Sequence, residues 1–93
     1  ATDIKQTCPW LVDVYVPNRD ALAQYLASHG IGTRLMYPPI HTQAPYNKWQ
    51  DYKNSSFSFS EKMSRAGLFL PSSLTLSDTT IKKICAKIRS FYL

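Results

Sequence analysis

The chain has 93 residues, enough for one domain and too few for two. Hydrophobic residues make up 44% and charged residues 18%, which excludes a disordered chain, because disorder goes with fewer large apolar residues and more charge. The net charge of +5 raises an anionic partner, but most basic residues are scattered, and only Lys82, Lys83, Lys87 and Arg89 gather; a solvated helix face explains that cluster better than nucleic acid does.

Residues 1–9 are polar and read as a linker from an upstream domain, with a folded domain over 10–93. Trp10 to Val16 (WLVDVYV) is β-branched and aromatic, a half-buried strand that Pro17 stops. Asn18 has the character of an N-cap for a helix from Arg19 to about Ser28, with Leu22, Tyr25 and Leu26 as its apolar stripe. Gly30 follows as the left-handed residue past the helix end, and His29 beside it suits the negative end of the helix dipole. Gly32 to Tyr37 reads as a second strand, ended by Pro38-Pro39, which cannot continue a ladder and favours an extended path.

Residues 40 to 57 form a long loop carrying His41, Tyr46, Trp49, Tyr52 and Phe57. Loops this long are functional or disordered, and so many aromatic groups argue for packing. Ser58 and Glu61 suggest a capping box for a short helix to about Ala66, followed by a strand from Leu68 to Leu70. Ser77 caps the last helix, with Leu76 and Ile81 as a staple and Ile81, Ile84, Cys85, Ile88 and Phe91 as its buried face. The order β-α-β-loop-α-β-α predicts an α+β fold: a two-layer small domain, with a short, mostly antiparallel sheet and helices packed on one side.

Cys8 and Cys85 lie near opposite ends and form no CxxC pair, so two reduced thiols and a cytoplasmic location are expected. No run is apolar enough for a membrane span, and a start at Ala1 fits an excised segment. The carboxylates show no paired pattern, Cys8, His29, His41 and Cys85 lack metal-ligand spacing, and the three glycines stand at turns or strand starts rather than in a phosphate loop. Catalytic and metal-binding residues are therefore expected to be absent from this chain.

One stretch is more specific. His29-Gly30-Ile31-Gly32-Thr33-Arg34-Leu35-Met36-Tyr37-Pro38-Pro39-Ile40-His41, after Asn18-Arg19-Asp20-Ala21-Leu22 and before Pro45-Tyr46, resembles the C-terminal segment of the DegT/DnrJ/StrS aminotransferases, perosamine synthases included. Leu68-Phe69-Leu70-Pro71 and the closing helix resemble that family's ending. The resemblance implies the C-terminal small domain of a fold type I enzyme that uses pyridoxal phosphate (PLP) to aminate a nucleotide-linked keto-sugar, usually with glutamate as amino donor. It further implies that PLP sits on the missing large domain and not on this fragment, and that the parent is a homodimer with shared active sites.

It also places Tyr37, the two prolines and His41 in the loop that approaches the active-site mouth, and Tyr37, His41 and, by its own chemistry, Arg34 are the expected substrate-binding residues. A histidine can donate to or accept from sugar hydroxyls or phosphate, and an arginine fork can pair with an anion. Structural alternatives compete: Tyr37 as a core filler and Arg34 as a solvent-facing strand residue. Two other functions stay open, a stand-alone interaction module of the same fold and a polyanion or RNA binder using the Lys82–Arg89 face.

Overall fold

The structure, a computed structural model, describes residues 5–48 and 56–93. Strand β1 (Val12–Tyr15) leads into helix α1 (Arg19–Ser28), strand β2 (Arg34–Leu35) and a single 3-10 turn at Ile40–Thr42. Helix α2 (Ser58–Ala66) runs directly into strand β3 (Gly67–Leu70), and helix α3 (Asp78–Tyr92) closes the chain. Trp49 and Tyr52 of the expected aromatic loop lie outside the described residues.

The sheet has the order β1-β3-β2, antiparallel throughout, so the last strand in sequence is the central one. Val12, Val14 and Leu35 lie opposite Leu70, Leu68 and Leu68, respectively, which puts these side chains on one face. Asp13 and Arg34 both lie opposite Phe69 and share the other face. Helices α1 and α3 cover the first face: Leu22 and Leu26 of α1, Leu68 of β3, Ile84 of α3 and Ile31 form the buried cluster. Leu22, Leu26 and Leu68 are fully buried, each contributing about 1.5–3 kcal/mol of hydrophobic stabilisation. The α+β arrangement expected from the element order is the one observed.

Several local expectations are corrected. The strand read over Gly32 to Tyr37 pairs only at Arg34–Leu35, with one further rung from the Met36 amide to the Gly67 carbonyl at 3.1 Å. Asn18 occupies the N-cap position of α1, but its side chain makes no cap bond; its backbone is left-handed at φ 54°, ψ 42°. Asparagine is one of the few residues that visit this region readily, so it turns the chain from strand to helix by its backbone. The capping box fails by one residue. Phe57 is the N-cap of α2 and Ser58 is already helical, so the Ser58 hydroxyl stands one position too late.

On α3, Ile84 is buried and Ile88 and Phe91 pack against the cluster, an i, i+4, i+7 stripe. Cys85 and Ile81 are exposed instead: Cys85 lies about 100° round the helix from Ile84, and Ile81 sits in the first turn. The other end signals act as read. The Ser77 side chain accepts from the Thr80 amide at 3.2 Å, Gly30 is left-handed at φ 77°, and His29 Nδ1 lies 2.9 Å from the Tyr25 carbonyl at the end of α1. The far end of α3 is tied back by the Tyr92 hydroxyl, which donates to the Pro17 carbonyl at 2.8 Å.

Candidate functional site

Beyond Met36 the prolines end the sheet ladder, since neither Pro38 nor Pro39 has an amide to donate. Pro39 takes the polyproline conformation, φ −59°, ψ 145°, and carries the chain away from the sheet. The next turn is held by its own bonds: the Thr42 hydroxyl and amide both donate to the Pro39 carbonyl, at 2.7 and 3.1 Å. That turn faces α2. Between them lies an open groove of about 450 Å³, with Tyr37, Pro39 and His41 on one wall and Phe57, Met63 and Ser64 on the other.

Three side-chain contacts join the walls. Ser64 Oγ donates to the Tyr37 carbonyl at 3.0 Å. His41 Nε2 lies 3.1 Å from Glu61 Oε1. The His41 ring stacks on Phe57, centroids 4.5 Å apart and planes 28° from parallel. His41 is mostly shielded, with 16% of its side chain exposed, against 43% for Glu61.

Of the three residues expected at the site, Tyr37 and His41 line this groove. Tyr37 is 49% exposed, too open for a core filler, and its ring lies against Phe69 with centroids 5.6 Å apart. Arg34 stands outside the groove lining on the exposed face of β2, its guanidinium 5.3 Å from the Tyr37 ring centroid. That is cation–π distance, so Arg34 adjoins the site through Tyr37.

Two residues essential to this geometry carried another meaning in the sequence. Glu61 was expected to bond its own helix start and instead meets His41. Arg19, which read only as the first residue of α1, donates from one guanidinium nitrogen to the Ser64 carbonyl and to the Gly67 carbonyl, the latter at 3.3 Å. Carbonyls in the last turn of a helix lack intrahelical donors, so Arg19 caps α2 from across the fold. Its Nε is held by Asp20 at 2.9 Å. The resemblance that begins with Asn18-Arg19-Asp20 was the one sequence signal for this role. Gly67 is required for space rather than for φ: an added Cβ would stand 2.8 Å from both Met36 Cβ and the Met63 carbonyl oxygen.

The groove itself does not fit PLP: its lining contains no lysine, so it places no amine to carry the cofactor as a Schiff base. Among the described residues there is also no cluster of three metal-ligating side chains and no helix long and apolar enough to cross a membrane.

The chain is thus a small α+β unit, a short antiparallel sheet under two covering helices with a groove framed by a Pro-Pro turn, and comparison with known proteins gives its family. Residues 4–89 match the DegT/DnrJ/EryC1/StrS aminotransferase family, and the chain belongs to that family. It is 32% identical over 91 residues to dTDP-3-amino-3,6-dideoxy-alpha-D-galactopyranose transaminase of Aneurinibacillus thermoaerophilus, covering 97% of this chain and 24% of that protein. It is 30% identical over 86 residues to GDP-perosamine synthase of Escherichia coli O157:H7, covering 89% of this chain and 22% of that protein. Among solved structures, a DegT DnrJ EryC1 StrS aminotransferase from Brucella abortus superposes with a TM-score of 0.77 at 28% identity, over 87% of this chain and 22% of the other. The aminotransferase TlmJ from Streptoalloteichus hindustanus gives a TM-score of 0.73 at 26% identity, over 86% of this chain and 21% of the other. The chain thus spans about a quarter of the length of the relatives it matches.

Proposed function

We propose that this chain is the C-terminal small domain of a PLP-dependent aminotransferase that aminates a nucleotide-linked keto-sugar, and that it supplies the substrate side of the active site. The observation that carries the proposal is the family match over residues 4–89 by a chain that spans only 24% of a sugar-nucleotide transaminase. In this reading residues 1–9 link to a large domain that holds PLP, which supplies the electron sink for amino transfer when bound.

The surface supports a missing partner domain. Only six apolar side chains are buried among the described residues, while Trp10, Ile40 and Phe59 are 80%, 64% and 73% exposed. Apolar groups this exposed are available to be covered by another domain. Within the groove, His41, Tyr37, Ser60 and Ser64 carry the polar groups available to the sugar, Pro39 and Met63 give an apolar wall, and Arg34 lies against the Tyr37 ring. The parent is read as a cytoplasmic homodimer taking its amino group from an amino-acid donor; the two free, exposed thiols at Cys8 and Cys85 suit a reducing compartment.

The test is made in the longer protein that carries this domain. With PLP, glutamate and a nucleotide-linked keto-sugar it should transaminate, and His41→Ala should lower kcat/KM by about 2- to 10-fold, the loss of one hydrogen bond to a neutral group. PLP content should stay at the wild-type level. Unchanged kinetics in a correctly folded variant would remove His41 from the site, and absence of transamination by the wild type would remove the enzymatic reading.

A further inference from the structure

Three contacts fix how His41 is presented. Phe57 sets the plane of the ring by stacking, the 3-10 turn sets the backbone, and Glu61 sets the rotation about that plane through the 3.1 Å contact at Nε2. A carboxylate accepts hydrogen bonds and cannot donate, so the proton at this contact belongs to the histidine and the ring is held with hydrogen on Nε2. In the neutral ring Nδ1 then bears the lone pair. Nδ1 has no hydrogen-bond partner among the described residues, and no shielded, unpartnered side-chain nitrogen or oxygen occurs among them. Since His41 is not an exposed residue, its unpartnered Nδ1 must be open to solvent. His41 itself lines the groove.

We propose that Glu61 is a positioning residue that fixes the Nε2–H tautomer of His41, so that the neutral ring offers the groove a hydrogen-bond acceptor for a ligand hydroxyl or amine, and not a donor for a phosphate. The ligand assignment rests on the reading of the groove as a sugar-nucleotide site; the tautomer does not. The consequence is a division of labour within a sugar nucleotide. The hydroxyl-bearing sugar meets His41, and the diphosphate is held by donors elsewhere.

The whole chain labelled with nitrogen-15 tests this by long-range proton–nitrogen correlation of the neutral imidazoles. His29→Gln leaves a single histidine and assigns the signals. Wild-type His41 should show a protonated Nε2 and an unprotonated Nδ1. Glu61→Ala should average the two tautomers, and Glu61→Gln should keep the wild-type pattern, because the amide oxygen still accepts. A protonated Nδ1 in the wild type would overturn the proposal without any variant, and so would a Glu61→Ala spectrum identical to wild type in a protein with an otherwise native amide spectrum.

A second arm adds GDP-mannose or dTDP-glucose, and separately GDP, dTDP or inorganic phosphate, and follows the Nδ1 signal. A response to the sugar nucleotides alone supports the hydroxyl assignment. An equal response to inorganic phosphate overturns it. The expected tautomer with no response to any sugar nucleotide upholds the role of Glu61 and counts against the sugar-nucleotide reading of the groove.

Discussion

Replacing Arg19 by methionine tests how the two walls of the groove are held. The substitution keeps an unbranched stem for packing and removes the guanidinium. Arg19 has 13% of its side chain exposed, so its bonds to the Ser64 and Gly67 carbonyls are largely sheltered from water. Hydrogen bonds from a charged donor contribute about 1.5–3 kcal/mol, and both carbonyls lose the same donor in one change. A loss of about 2 kcal/mol is expected, seen as a lower midpoint with an unchanged slope in urea titration. In a domain of this size that corresponds to roughly 10 °C in Tm. Asp20, on the far side of the guanidinium, is 74% exposed, so Asp20→Ala should cost less than about 1 kcal/mol. If Arg19→Met were within about 0.5 kcal/mol of wild type, the clamp on α2 would not be a stabilising contact, and another interaction would have to hold α2 in place.

Ser77→Ala removes the bond accepted from the Thr80 amide and should lower stability by about 1 kcal/mol in the same titration. Gly67→Ala drives a methyl to 2.8 Å from the Met63 carbonyl oxygen, which cannot yield as a side chain would; a loss of about 1–3 kcal/mol is expected, with shifted Met36 and Met63 methyl signals, and an unchanged Tm would contradict the crowding. Alkaline pH should weaken the fold through two tyrosines. Tyr15 is raised above its ordinary 10.0 by the hydrogen bond to Asp13, then by burial and by the charge of that carboxylate, and Tyr92 is raised by burial. A native state that holds its phenolic protons longer keeps this contribution below pH 10.0 and loses it as the pH rises through the raised values. The double variant Tyr15→Phe, Tyr92→Phe should therefore lose stability less steeply above that pH than wild type does, and equal slopes would refute the assignment.

Local chemistry was legible wherever it is decided by neighbours in sequence. Gly30 past α1, Ser77 before α3, the Pro38-Pro39 stop and the stripe of Leu22, Tyr25 and Leu26 each follow from backbone sterics or helical spacing, and the ordered set from Asn18 to His41 identified the family. The failures are equally local in cause. Ser58 and Asn18 have the right chemistry for a cap, but a shift of one residue or a change of φ removes the bond, and nothing in the sequence sets that register. The Tyr37–His41 segment was legible as a candidate site because it resembles a loop of that family.

What the sequence could not determine is which distant groups meet. That β3, the last strand in sequence, becomes the central one depends on Leu68 being the side chain buried against both α1 and α3. Because α2 runs straight into the central strand, its end lies against β1, where the Val16 amide donates to the Ala66 carbonyl, and Ser64, Tyr37 and Arg19 come together across 27 and 45 residues. The pairing of Glu61 with His41 across 20 residues follows from the same packing. A carboxylate or a guanidinium in a sequence shows its own bonding capacity; its partner is chosen by the burial of leucines elsewhere, because hydrophobic packing fixes where each helix end and loop must lie.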